Sequence, residues 1–383
     1  MKRIFVILLV LALSVVSRAD LRVSLLTCGS SDSDVASSFG HSAIRVTDSR
    51  SNTDIVFNYG TYNFYAPHFV LKFLRGEMVY MLTCEPFDFF FDIYRHEQRD
   101  VVERILNLDE DQKTELYNFL WTNARPEHRD YYYDYLVDNC ATRVRDLFSG
   151  EDFSHPEIPT ETTYRMLLRE CLPTQAWLCL GIDLVLGSRI DAPIDNCEQM
   201  FLPSYLENNL LAYRNVKTDQ ALLAEPEVLY KAEPREGGAF SKLISPIAAS
   251  LYAIALFVLL MLVCRNRKTL VRVYGRILYT LLALGSLIIL LLWFCTSHQW
   301  CVSNWNLLWL NPLFLLLPWI PAGRFHRVLV YVCGACLCCV LFFWWALPQV
   351  FNVFAFPVCA LTLLVTILQY HYDYRLIKRI RTV

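Results

Sequence analysis

The strongest constraint on this chain is where its apolar residues fall. From about Leu243 to the C-terminus they gather into five stretches, at about 244–264, 275–295, 305–321, 328–347 and 351–370. Each is near the length an α-helix needs to cross a hydrocarbon core, the third being the shortest. The second part of the chain is therefore predicted to be an all-α transmembrane domain of five helices. Its direction follows from the basic residues. Arg265, Arg267, Lys268, Arg272 and Arg276 follow the first stretch, and Arg324 and Arg327 separate the third from the fourth. Arg375, Lys378, Arg379 and Arg381 follow the fifth, whereas 296–304 and 348–350 contain neither Lys nor Arg. Basic loops stay in the cytoplasm, so the part preceding the first span is expected on the opposite side, with a cytoplasmic C-terminus.

The N-terminus gives the same answer independently. Lys2 and Arg3, the apolar run Ile4–Val16 and Ser17-Arg18-Ala19 predict a secretory signal peptide over 1–19. Thr27 is a poor lipobox residue before Cys28, so no lipid is expected on that thiol. The predicted organisation is a signal peptide over 1–19, an α+β periplasmic domain over 20–150 and a mostly helical periplasmic extension over 151–242. The transmembrane domain occupies 243–383. A length of 383 residues with 55% hydrophobic content supports such a division. The formal net charge of −2 is uninformative about partners, but there is no basic stripe suited to nucleic acid, so none is expected.

Two segments carry chemistry. Ser38-Phe39-Gly40-His41-Ser42-Ala43-Ile44-Arg45-Val46 reads as a turn, bent at Gly40, entering a strand at His41. Tyr133-Asp134-Tyr135-Leu136-Val137-Asp138-Asn139-Cys140-Ala141-Thr142-Arg143 reads as a polar cap opening a helix with a thiol in its first turn. Asp138 or Asn139 can cap that helix, leaving N–H groups near Cys140 to serve as an oxyanion hole. A thiol there is biased toward thiolate, and a nearby imidazole completes a nucleophile–base pair. Alone, His41 is an ordinary strand residue and Cys140 a small buried hydrophobe or half a disulfide. The order, His on a strand before Cys on a helix, reverses that of papain and suggests a permuted papain-like thiol core. A third group should orient the imidazole. Asn58, on the neighbouring strand of the hairpin, is the candidate, with Asp48 behind it. Tyr133 and Tyr135 either donate to a developing oxyanion or pack the core. Arg143 and Arg145 either engage a phosphate or carboxylate or cover the helix surface.

His41–Thr47 and Asp54–Tyr59 are predicted to form a hairpin, with a further strand at Met78–Thr83. Asp88–Asp100 is helix or strand, its aromatic run Phe87–Phe91 being too dense for a clean period. Asp109-Glu110-Asp111-Gln112 is expected to cap a helix reaching about Asn123, and Tyr131–Leu136 to form a short strand before the Cys140 helix. Six of the fourteen cysteines precede the membrane, and Cys28 with Cys84 and Cys171 with Cys197 are possible bridges. Cys333-Gly334-Ala335-Cys336 has zinc or redox spacing but lies in an apolar stretch, where small-residue packing is expected. His41, His68, His96, His128 and His155 show no H-x-x-x-H or H-x-E spacing, so neither a metal nor another cofactor is expected. Asn304, Asn306 and Asn311 stand at the outer end of the third stretch. They either hold a lipid headgroup or hydrogen-bond between helices, and Pro312 and Pro318 suggest a kink.

Taken together these segments resemble the Lnb-type bacterial lipoprotein N-acyltransferases, membrane enzymes with an N-terminal periplasmic domain. The matching stretches are Ser24–Cys28, Phe39–Val46, Phe57-Asn58-Tyr59-Gly60, Leu71–Gly76, Tyr133–Arg143, Phe201-Leu202-Pro203 and Asn304–Pro312, so the resemblance covers nearly the whole chain. It departs at Ser33-Asp34-Val35-Ala36, where the family carries a glycine-rich turn and a Glu-Leu-Tyr-like segment. The resemblance implies an inner-membrane acyltransferase in which Cys140, with His41 as base, takes a fatty acyl chain from a phospholipid donor. The chain then passes to the α-amine of a diacylated lipoprotein acceptor. Two alternatives stay open: a membrane-tethered NlpC/P60-like cell-wall endopeptidase, and a non-enzymatic lipid- or peptide-binding module with a structural Cys140.

Overall fold

A computed structural model describes residues 21–63, 65, 67–233 and 243–381; the predicted signal peptide lies outside them. In chain order the helices are α1 (Phe69–Arg75), α2 (Phe87–His96), α3 (Glu110–Asn123), α4 (Cys140–Asp146), α5 (Tyr164–Glu170) and α6 (Ala176–Val185). There follow α7 (Pro203–Leu210), α8 (Pro246–Val263), α9 (Arg267–Cys295), α10 (Arg324–Phe342) and α11 (Ala355–Arg381). The chain divides into two compact units. A sheet unit comprises Met1–Ala66, Met78–Pro159 and Asp195–Pro234, and a helical unit comprises Pro67–Glu77, Thr160–Ile194 and Arg235–Val383. The expected extension over 151–242 is therefore not one body. Its middle packs with the apolar helices and its end returns to the sheet.

The sheet unit is built on seven strands: β1 (Leu21–Cys28), β2 (His41–Asp48), β3 (Thr53–Thr61), β4 (Val79–Pro86), β5 (Val101–Leu106), β6 (Asp130–Tyr132) and β7 (Leu223–Tyr230). All neighbours are antiparallel, in the order β7-β5-β1-β2-β3-β4-β6. Alternation sorts the side chains onto two faces. Val23, Leu25, Ile44, Val46, Phe57 and Tyr59 join a core with Leu120 of α3, Val144 of α4 and Leu206 of α7. Leu26, Cys28, Ala43 and Val56 pack on the opposite face under Phe90 and Tyr94 of α2. The predicted hairpin is present, with each strand slightly longer than expected. The aromatic run resolves into α2, and Asp109 caps α3 in a box with Gln112. The strand expected over Tyr131–Leu136 is limited to Asp130–Tyr132, because Asp134 turns the chain by accepting from the N–H groups of Leu136 and Val137. β7 was not anticipated: Pro226 and the bulges beside it break its alternation, which only an edge strand tolerates. Every cysteine among the described residues is a free thiol, so neither proposed bridge forms.

The helical unit departs from five helices. Among the described residues four helices, α8, α9, α10 and α11, are long and apolar enough to cross a membrane. The third stretch instead forms two 3-10 turns, Trp305–Leu308 and Pro312–Leu315. Each opens on an asparagine, Asn304 or Asn311, whose carbonyl oxygen accepts the N–H two residues on. Pro312 and Pro318 remove further donors, so the helical ladder cannot close. This irregular segment buries Trp309, Leu310, Phe314 and Leu317 and runs antiparallel to α9. Leu310 packs at Gly285, Phe314 stacks on Tyr279 at 5.2 Å, and Arg276 lies 5.0 Å over Trp319. Non-helical backbone at that depth is tolerated only where protein covers it.

A buried ion cluster ties the short helices to that segment. Arg165 of α5 reaches Asp191 at 2.7 Å and Asp183 of α6 at 3.0 Å, and donates to the Leu186 and Gly187 carbonyls. Asp183 also takes Arg169 and the Asn352 amide, while Asn306 donates to its backbone carbonyl. Replacing Arg165 by Leu leaves the buried Asp191 carboxylate without its charge partner and takes one of two cations from Asp183. A loss of about 3–5 kcal/mol is expected, read as a lowered unfolding midpoint in detergent. Arg214→Leu, which removes the exposed pair with Asp219, should stay within about 1 kcal/mol of the parent.

Candidate active site

The sheet unit brings His41, Asn58 and Cys140 together. His41 is the first residue of β2 and Asn58 lies on β3, on the same face of the sheet. The His41 Nε2 lies 2.7 Å from Asn58 Oδ1, and Asn58 Nδ2 donates to Glu85 Oε1 of β4 at 2.7 Å. The direction of this chain follows from its end. A carboxylate only accepts, so the amide must turn Nδ2 toward Glu85 and Oδ1 toward the imidazole. Nε2 then carries a proton, and Nδ1 is left for the hydrogen bond that His41 makes with Cys140. Tyr94 and Phe90 of α2 hold the imidazole from one side, with ring centroids 6.3 and 6.5 Å away.

Cys140 opens α4, and Asn139 rather than Asp138 caps that helix. The Asn139 carbonyl oxygen accepts from the N–H groups of Ala141 and Thr142 at 2.8 and 3.0 Å. Its NH2 group donates to the carbonyls of Tyr135 and Phe201, so the cap itself is fixed. The Cys140 N–H is among the first-turn donors a helix cannot satisfy internally. Gly60, at φ +92°, lies in a bulge of β3 where an added Cβ would meet Cys140 Cβ at 3.4 Å and His41 Cε1 at 3.8 Å. The missing side chain is what lets thiol and imidazole meet across the end of the strand.

Electrostatics separate Cys140 from its neighbours. Burial works against its ionisation, but the charge of His41, its hydrogen bond and the N–H groups of Ser42 and Ala141 outweigh burial and hold the thiol below the usual range. Burial likewise disfavours imidazolium at His41, and the charge and hydrogen bond of Cys140, aided by Asn58, outweigh it and raise the imidazole. Cys28, Cys84, Cys171, Cys179 and Cys197 all shift upward, chiefly by burial. One shift down and one up mean that each group favours the charged form of the other.

The remaining sequence candidates divide. Tyr133 stacks on Tyr80 at 4.0 Å and Tyr135 meets Phe39 edge-on at 5.2 Å, so both pack aromatic neighbours. Arg143 pairs through two nitrogens with Asp138 and lies 4.1 Å over the Tyr131 ring, partners within its own unit. Asp48 does not stand behind Asn58; it closes the β2–β3 turn by accepting from the Arg50 N–H and Ser51 hydroxyl. Asn304 donates to the Leu184 and Val185 carbonyls, and Asn311 caps the second 3-10 turn. Two residues escaped the sequence reading. Glu85 replaces Asp48, and only the β3–β4 register brings it near Asn58. The Tyr131 hydroxyl is buried without a hydrogen-bond partner, and the Cys140 charge adds to burial in raising its pKa.

Comparison with known families follows these lines. A family model described as the Lnb N-terminal periplasmic domain matches residues 14–170, and one described as the Lnb transmembrane domain matches residues 239–376. The chain belongs to the Lnb family. It is thus a membrane protein whose mixed α/β N-terminal domain is of periplasmic type, followed by a transmembrane region. No curated protein and no solved structure matches it.

The ion pair predicts a pH signature. Because the Cys140 pKa is lowered, its alkylation by iodoacetamide should have a pH midpoint below the ~8.5 of a free thiol. In His41→Ala the thiolate loses its counter-charge but keeps its burial, so the midpoint should move above that value. Asn58→Ala should move it less, and Glu85→Ala less again.

Proposed function

We propose that this Lnb-family protein is a lipoprotein N-acyltransferase working through a Cys140 thioester. The observation that carries the reading is the Cys140–His41–Asn58–Glu85 chain, in which the one thiol among the described residues that is shifted toward thiolate meets an imidazole of fixed tautomer. Its arrangement, a strand histidine preceding a helix-capping cysteine, supports a permuted papain-like core. The thiolate attacks an ester carbonyl of a phospholipid. Imidazolium His41 then protonates the departing glyceryl oxygen, leaving an acyl-cysteine and a lysophospholipid. Neutral His41 next accepts a proton from the α-amine of a diacylglyceryl-cysteine as that amine attacks the thioester and expels the thiolate. Donors for the two tetrahedral oxyanions are at hand in the Cys140 N–H and the Tyr131 hydroxyl.

The helical unit supplies the reason for a membrane. Both reactants are lipids of the outer leaflet of the inner membrane, so a site tethered there meets them by lateral diffusion. A cell-wall peptidase would gain little from four apolar helices and a fifth, irregular apolar segment. In this reading residues 1–19 direct export and the sheet unit is periplasmic. The four helices and the irregular 305–320 segment then make five crossings, ending with a cytoplasmic C-terminus.

The test is product formation. Detergent-purified protein, phospholipid with a labelled acyl chain and a synthetic diacylated lipopeptide should yield a lipopeptide heavier by that chain, with the label on its α-amine. Cys140→Ser should give none. Release of peptides from cell-wall fragments, with no lipopeptide product, would favour the peptidase instead. Tyr131→Phe should slow acylation by roughly 10²-fold, as loss of one oxyanion donor does, while iodoacetamide labelling of Cys140 stays within about twofold.

A further inference from the structure

Residues 67–77 interrupt the sheet unit between β3 and β4 yet belong to the helical unit. They carry α1, none of whose residues is buried; Val70, Leu71, Phe73 and Leu74 each keep more than 50% of their surface open. Water is a poor covering for four such side chains in a row. The helix is held in place at its C-terminal end. The Ser297 N–H donates to the Arg75 carbonyl at 2.8 Å, and an added Cβ on Gly76 would lie 3.0 Å from the His298 ring. Ser297 comes two residues after Cys295, the last residue of the 29-residue apolar helix α9.

That end of α9 is marked as an interface by its own aromatics. Trp293 and Phe294 stack at 5.1 Å in its last turn. A second marker stands at the start of α8, which shares this end because a short turn joins α8 to α9 at the other. There the Trp177 Nε1–H of α6 donates to the Ile244 carbonyl at 2.6 Å, two residues before Pro246. Tryptophans concentrate where hydrocarbon gives way to headgroups. Within α1 the charges are Lys72 and Arg75, with no acid; Arg75 pairs with Glu77 at 3.2 Å, which leaves Lys72 as its open cation.

We propose that α1 is an interfacial helix whose partner is the phospholipid bilayer itself. Val70, Leu71, Phe73 and Leu74 enter the glycerol–acyl boundary at the Cys295 end of α9, with Lys72 at the phosphate level. A seven-residue helix would bind a membrane weakly alone; tethered to a spanning helix, it needs only to lie in the boundary. In the chain, the segment that touches lipid then follows β3, the strand carrying Asn58 and Gly60. The consequence for catalysis, capture of the acyl donor, rests on the reaction proposed above; the placement in the bilayer does not.

Two measurements on the full chain test it separately. A fluorescent amino acid replacing Leu74, in phospholipid nanodiscs, should be quenched by lipids carrying a nitroxide on the upper acyl chain and shielded from aqueous iodide. The opposite pattern would overturn the placement. Leu71→Asp with Leu74→Asp should lower Cys140 acylation from vesicle phospholipid at least tenfold. Acylation from dibutyryl phosphatidylcholine, dissolved as monomers, should stay within twofold, and the Leu71→Ala, Leu74→Ala pair controls for folding. An equal loss with both donors would make α1 merely structural and overturn the capture role. If the parent is acylated by neither donor, the reaction fails and the quenching result alone decides the placement.

Discussion

Everything at the site depends on the contact between Cys140 and His41, where the pull of each group on the other outweighs burial. A thiolate and an imidazolium taken from water separately would each be costly, and side by side each lowers the cost of the other. The pair is useful only if the imidazole presents the correct nitrogen. Glu85 settles this at two removes: it orients the Asn58 amide, which orients the proton on His41 Nε2. Four residues from three strands and one helix thus behave as one device, and the bulge at Gly60 gives it room.

The two units answer different demands. The sheet provides rigid, register-fixed positions for His41, Asn58 and Glu85, and the seated cap at Asn139 aims Cys140 toward them. The helical unit combines long apolar helices with a polar cluster, in which Arg165 pairs with Asp183 and Asp191 and the Asn306 side chain of the irregular segment donates to the Asp183 carbonyl. That division explains why the chain leaves the sheet unit twice, once at 67–77 and once at 160–194, instead of dividing at a single linker.

How much was legible in the sequence follows from the range of each signal. His41 and Cys140 could be read because a glycine turn and an asparagine cap announce them within one or two residues. Asn58 was within reach because a hairpin places its strands by a short turn. Glu85 was not, since it needs the register of a third strand after an excursion through α1. Tyr131 sits in the run Tyr131-Tyr132-Tyr133, and nothing local says which ring turns inward. The four apolar helices follow from length and composition. The third stretch was marked by its Asn and Pro residues as kinked, but caps and prolines together remove the helix altogether. β7 stayed hidden because an edge strand needs no alternation, and the division of 151–242 depends on tertiary partners that no local pattern records.

The most direct test of the central claim is the intact mass of the purified protein after incubation with phospholipid and no acceptor. An added fatty-acyl mass is expected, removed by neutral hydroxylamine, discharged by a diacylated lipopeptide and absent from Cys140→Ser. If Cys140 is shown by alkylation to be reduced and ionised, yet no acyl mass appears on it, catalysis through a Cys140 thioester is contradicted.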